Sequence, residues 1–168
     1  MTTPSYPCPD DGDRFADNGV TADARNAGRV RDEFAGWLRG HVDLDDVRFS
    51  DVVLAVNEAL ANAAEFAYLQ QRGMGTIDVE AVQDRAAATL TVTISDQGCW
   101  RDPDPAKQGR VRGRGIPLMR ALADDVTIDT SALGTTVCLR FDNVHAVAEA
   151  DATGPPAPRS HCPMTLSM

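Results

Sequence analysis

The chain has 168 residues with 43% hydrophobic and 24% charged side chains, a globular composition at the length of one ordinary domain. Its 16 Lys and Arg stand against 25 Asp and Glu, for a net charge of −9, the wrong sign for a protein that binds nucleic-acid phosphates. No stretch approaches the roughly 18 apolar residues of a membrane helix, and Met1 to Asp13 carries three prolines and three acids with no apolar core. The expectation is a cytoplasmic protein with neither a membrane nor a nucleic acid as direct partner.

Cys8, Cys99, Cys138 and Cys162 form no C-x-x-C pair, and His41, His145 and His161 fit no metal spacing. Reduced thiols and no Cys or His metal site are expected. Prolines crowd both ends, at 4, 7 and 9 and again at 155, 156, 158 and 163. Those ends lack apolar periodicity to offset their ordering entropy, so 1–13 and 146–168 read as mobile tails around a folded domain at 14–145.

Within that domain, Ala27, Val30, Phe34, Trp37 and Leu38 recur at helical spacing and predict an amphipathic helix over 21–39. A second helix is expected from an N-cap at Ser50 to Leu69. It is apolar nearly all round, through Val52, Val53, Leu54, Val56, Leu60, Ala63, Ala64 and Phe66, which marks a helix enclosed in a core. Gly73 and Gly75 close it. Alternation then predicts strands through Ile77-Val79-Ala81 and Leu90-Val92-Ile94. A Gly-, Pro- and Arg-rich loop spans 97–114, a short helix follows over 115–124, and a hairpin through Val126-Ile128, a turn at Ser131–Gly134 and Val137-Leu139-Phe141 ends the pattern. The fold class is an α/β two-layer sandwich, with a mixed sheet carrying its helices on one face.

Polar groups interrupt this apolar pattern at three places. Glu58 and Asn62 are four residues apart and so share one face of the second helix. Desolvating a carboxylate there costs free energy, unless Asn57, Glu58, Asn62 and Glu65 form a solvent stripe. Asp96 continues the inward parity of Leu90, Val92 and Ile94, and Gly98 beside it permits close approach of a ligand; a simple Asx-turn ending the strand is the other reading. Thr135 continues the inward row of Val137, Leu139 and Phe141, and it is also an ordinary strand former. Between them Arg101, Lys107, Arg110, Arg112 and Arg114 reverse the local charge, and Gly113-Arg114-Gly115 opens a helix. Free N–H groups and the positive dipole end at such a place can hold phosphate, and a solvated charge run is the alternative.

In order, the motifs are Glu58-x-x-x-Asn62, Asp96-x-Gly98, Gly113-x-Gly115 and Gly134-Thr135. That series resembles the Bergerat ATP-binding fold of gyrase, heat-shock chaperone, histidine-kinase and MutL proteins. The stretches VNEALANAAEFAY, ISDQGCW, GRGIPLMRALADDV and GTTVCLRF are similar to the anti-sigma-factor serine kinases of the RsbW and SpoIIAB type, over about 14–142. The resemblance implies ATP and Mg²⁺ as cofactors. By it, Asn62 holds the metal, Glu58 is the general base, and Asp96 accepts from the adenine amino group. Thr135 holds a water beside Asp96, Gly98 lets the ring approach, and Gly113 and Gly115 bring N–H groups to the phosphates within a lid. The partners implied are a STAS-domain anti-sigma-factor antagonist as phosphoacceptor, a sigma factor, and a second copy in a homodimer.

The chain departs from the family pattern at Phe66, where many relatives carry His, and at Cys99-Trp100, where a further glycine is usual. These departures bear on phosphoryl transfer more than on nucleotide binding, so a non-catalytic ATP-binding adaptor is the alternative function. A detached histidine-kinase catalytic domain fits less well, because His41 follows Gly40 at a helix end and no phospho-accepting His precedes the ATP motifs on a dimerisation helix.

Overall fold

The computed structural model describes residues 13–70, 75–97 and 115–148, with side chains described throughout except at 66–70. The chain runs β1 (Arg14–Thr21), α1 (Ala24–His41), β2 (Val42–Asp43), α2 (Asp46–Gln70), β3 (Thr76–Asp84), β4 (Thr89–Asp96), α3 (Gly115–Leu122), β5 (Asp125–Ser131), β6 (Gly134–Asp142) and β7 (His145–Ala146). Five strands form one sheet in the order β1-β3-β4-β6-β5, and β2 pairs with β7 apart from it. The two-layer sandwich expected is the one found. The mixed sheet narrows to an antiparallel one, since all four ladders of the main sheet run antiparallel.

Alternation explains the sheet's single apolar face. Ile77, Val79 and Ala81 on β3, Leu90, Val92 and Ile94 on β4, and Val137, Leu139 and Phe141 on β6 are all buried, and the residues between them are not. The helices cover that face. α2 contacts β3, β4 and β6 beneath it and has α1 and α3 as neighbours, which is why it is apolar around most of its circumference. The all-round burial expected of α2 is incomplete: Leu54 is 41% exposed, Val53 is only partly buried, and Val47 in the first turn is exposed.

Local chemistry moves both helix starts. Asp23 caps α1: its carboxylate accepts from the Asn26 N–H at 2.8 Å, and that bond holds the Asp23 carboxyl below its ordinary range. Thr21, expected in this helix, belongs instead to β1. Asp45 accepts from the Arg48 N–H at 2.8 Å, so α2 begins four residues before the cap expected at Ser50. Ser50 lies inside the helix, with its hydroxyl donating to the Asp46 carbonyl at 2.8 Å. Pro117 is tolerated in the first turn of α3, where its missing N–H has no intrahelical acceptor.

β1 escaped the sequence pattern because a register shift between Asp17 and Val20 breaks its alternation. Gly19 adopts φ +68° there, and its N–H donates to Asp78 Oδ1 at 2.6 Å. The folded body also passes the boundaries expected for it. Asp13 pairs with Arg85 at 2.6 Å, Ala146 pairs with Val42, and the Val147 N–H donates to the His41 carbonyl at 2.9 Å. Residues 1–12 and 149–168, expected as tails, lie outside the described residues, as does the helix end expected at Gly73. Among the described residues no helix is long and apolar enough to cross a membrane.

Gln83 breaks the apolar row of β3. It is 3% exposed, and among the described residues neither its amide nitrogen nor its carbonyl oxygen has a hydrogen-bond partner. An unsatisfied buried polar group costs roughly 1–3 kcal/mol. Gln83→Met keeps the volume and removes that cost, so urea melts are expected to show a gain of about 1–2 kcal/mol. A loss of stability would mean that the amide has an internal partner.

Candidate nucleotide site

The site is built from two groups of residues, one on the helices and one on the sheet. On α2, Glu58 and Asn62 stand one turn apart and half-buried, with Ala59, Leu60 and Ala63 fully buried beside them. Asn57 is half-buried as well, its side-chain oxygen 3.5 Å from Arg31 Nη1, and only Glu65 of the four is exposed. A solvent stripe of all four is therefore not what forms. Instead the first residue of α3 closes over the pair. A Cβ built on Gly115 would stand 3.2 Å from Asn62 Nδ2, 3.3 Å from its Oδ1 and 3.3 Å from Glu58 Oε2. A backbone without a side chain is what lets a helix start this close to two polar groups.

On the sheet, Asp96 and Thr135 are direct cross-strand partners between β4 and β6, and Asp96 also faces Ile77 across β3. Thr135 is 4% exposed and Asp96, the last residue of β4, is half-buried. Both follow the inward rows predicted for them. Ser95 and Thr136, one step out of phase, lie on the other face with their hydroxyl oxygens 3.0 Å apart. A carboxylate and a hydroxyl thus sit side by side at one end of the apolar face. α2 leads towards that same end, because only five residues separate Gln70 from Thr76 at the start of β3.

The geometry singles out Gly134, which sequence reasoning had read as a turn glycine opening the Gly134-Thr135 motif. A Cβ there would fall 1.9 Å from the Asp96 carbonyl oxygen, and the residue has φ +150°. Its signal in the sequence was its place immediately before Thr135. Gly98, Gly113 and the arginine-rich stretch 101–114 lie outside the described residues, as do Cys99, Trp100 and the side chain of Phe66.

The donors suit a hard divalent cation only in part. Glu58 and Asn62 offer carboxylate and amide oxygens, which match magnesium. Among the described residues no group of three His, Cys, Asp or Glu could hold a metal alone. Magnesium here would take most of its oxygens from phosphates and water, its usual habit when it accompanies a nucleotide.

The histidine-kinase-like ATPase domain model matches residues 20–141. The chain belongs to that family. Serine-protein kinases RsbW from Staphylococcus aureus are similar to it, at 28% identity over 130 residues covering 68% of this chain and 78% of the relative. Among solved structures, the RsbU and RsbW domains of a Mycobacterium tuberculosis protein share the fold at TM-score 0.60 and 24% identity, over 79% of this chain. This chain spans 33% of that longer one. The histidine kinase domain of a blue-light-activated kinase from Erythrobacter litoralis matches at TM-score 0.51 and 19% identity, over 70% of this chain and 59% of its own.

The start of β6 in this histidine-kinase-like ATPase domain leaves no room for a side chain. Gly134→Ala sets a Cβ against backbone that cannot rotate away, and is expected to cost about 3 kcal/mol in thermal or urea unfolding. Stability within about 0.5 kcal/mol of the parent would show that β4 and β6 are not this close at Asp96.

Proposed function

We propose that the chain is an ATP-dependent serine-protein kinase and anti-sigma factor, acting in the cytoplasm. It phosphorylates a STAS-domain antagonist, alternatively holds a sigma factor, and works as a homodimer. The observation that carries this reading is the convergence of Glu58 and Asn62 on the glycine that opens α3, in a chain of the histidine-kinase-like ATPase family. Similarity to proteins named serine-protein kinase RsbW supports a protein serine as the acceptor.

In this reading the Asp96 carboxylate accepts from the exocyclic amino group of adenine, and Thr135 holds a water beside it. Gly98 would leave space for the ring, and Gly113 and Gly115 would offer backbone N–H groups to the phosphates. The Asn62 side-chain oxygen is the protein's ligand to magnesium. When bound, that ion offsets phosphate charge during transfer. Glu58 accepts the proton of the attacking serine hydroxyl as its oxygen bonds to the γ-phosphorus and ADP leaves. Phosphoryl transfer depends mostly on positioning and charge stabilisation, so one carboxylate at the acceptor suffices as base.

The test is incubation of the full chain with labelled ATP, magnesium and the STAS-domain partner. Glu58→Ala is expected to keep Mg-ATP binding and lose transfer by roughly 10²-fold or more. Asn62→Ala is expected to lose the magnesium dependence of binding. Transfer by Glu58→Ala at the parental rate would remove its role as base. Binding without transfer in the parent would assign the chain instead as a non-catalytic ATP-binding adaptor.

A further inference from the structure

We infer that Arg48, far along α2 from the polar pair, is the positioning residue that sets Gly115 against Glu58 and Asn62. The inference deepens the nucleotide reading above and rests on it.

α3 has eight residues, too few to hold a helix in water by itself, so its place is decided by what it packs on. Its packing on the core is apolar: Met119 is fully buried, with Ile116 and Leu122 packed at the edge of the core. Apolar contacts of this kind resist separation from α2 far better than sliding along it. Directional bonds fix the slide, and among the described residues they lie at the C-terminal end, where the Asp124 N–H also donates to the Arg140 carbonyl at 2.9 Å. Arg48 Nη1 donates to the Leu122 carbonyl at 3.2 Å, one of the carbonyls a helix end leaves without an intrahelical donor. Its Nη2 pairs with the Asp124 carboxylate, two residues on. Asp124 in turn accepts from the Asp142 N–H at 2.8 Å, so the bond set joins α2, the end of α3 and the end of β6.

Burial pushes the Asp124 carboxyl up, but the Asp142 N–H and the Arg48 guanidinium outweigh it, and the group lies below its ordinary range. The pair is therefore charged at neutral pH. Its contribution is present above the ordinary carboxylate range and is lost as pH falls through the lowered value. The guanidinium is fixed from a third side by the fully buried Phe141, whose ring centroid lies 5.5 Å from Arg48 Cζ.

The two ends of α3 thus meet the same helix at two levels. Gly115 faces positions 58 and 62, close enough that an added Cβ would meet both side chains, and Leu122 is held by position 48. Positions 48 and 58 are about 15 Å apart along α2, which eight residues of α3 and one arginine side chain span. A Cβ on Gly115 would already be crowded by Glu58 and Asn62. A shift of about an ångström at the Leu122 end therefore alters the spacing between the α3 start and the polar pair, and errors of that size at a phosphate site are costly. Only a planar guanidinium serves a carbonyl and a carboxylate in one fixed geometry; a lysine ammonium does not reproduce it.

The test compares Mg-ATP with adenosine on the full chain by NMR titration, at a temperature where circular dichroism shows each variant folded. Adenosine reaches only the sheet end of the site, whereas ATP also needs the α3 start. In Arg48→Met, Mg-ATP affinity is expected to fall about tenfold or more with adenosine affinity within twofold. Arg48→Lys should recover only part of the loss. Asp124→Asn, which keeps an acceptor for the Asp142 N–H, is expected to move in the same direction and serves if Arg48→Met does not fold. An unchanged ratio of the two affinities in the folded variants overturns the inference. If the parent binds neither ligand, the nucleotide reading fails, and amide exchange decides the clamp separately. Faster exchange confined to 115–122 in Arg48→Met or Asp124→Asn supports it, and unchanged exchange there overturns it.

Discussion

The missing side chain at Gly115 lets the start of a helix come close to a carboxylate and a carboxamide that a Cβ would crowd. Everything around that contact serves to keep α2 still. Its buried side fills the space between the sheet and the flanking helices, so Glu58 and Asn62 project from an element with little freedom to turn. Two polar groups on such a helix are costly if nothing pairs with them, and both face the first residue of α3. Both elements lie within the residues matched by the histidine-kinase-like ATPase domain.

The sheet end obeys the same logic with different parts. Thr135 is buried and Asp96 half-buried, side by side at the margin of an apolar face. The Gly134 backbone must come within a side chain's radius of the Asp96 carbonyl for them to pair. Both halves of the site therefore depend on glycines chosen for space rather than for flexibility. In each case a neighbouring ladder or helix turn, rather than a loop, fixes the candidate side chain.

Much of this was legible before the fold was known. Strict period-two alternation in Leu90 to Ile94 placed Asp96 on the inward face, and the same rule placed Thr135. The helix starts were less legible because several residues near each could cap it. Ser50 is a good capping type, but Asp45 is also one and precedes it, and the serine hydroxyl finds a carbonyl inside the helix instead. β1 was hidden by its bulge and its exposed charged residues. β2 and β7, at two residues each, have no periodicity to read. Arg48 carried no sequence signal, since its partners Leu122 and Asp124 lie more than seventy positions away.

The central claim is that the polar pair on α2 and the acid at the end of β4 form one site for a magnesium-bound adenine nucleotide. Isothermal titration calorimetry of the full chain with ATP, run with magnesium and again with a chelator, tests it most directly. The account predicts saturable heat with one ATP per chain, and clearly weaker binding once magnesium is removed. An absence of saturable heat with millimolar ATP and magnesium, on a chain shown to be folded, would contradict it.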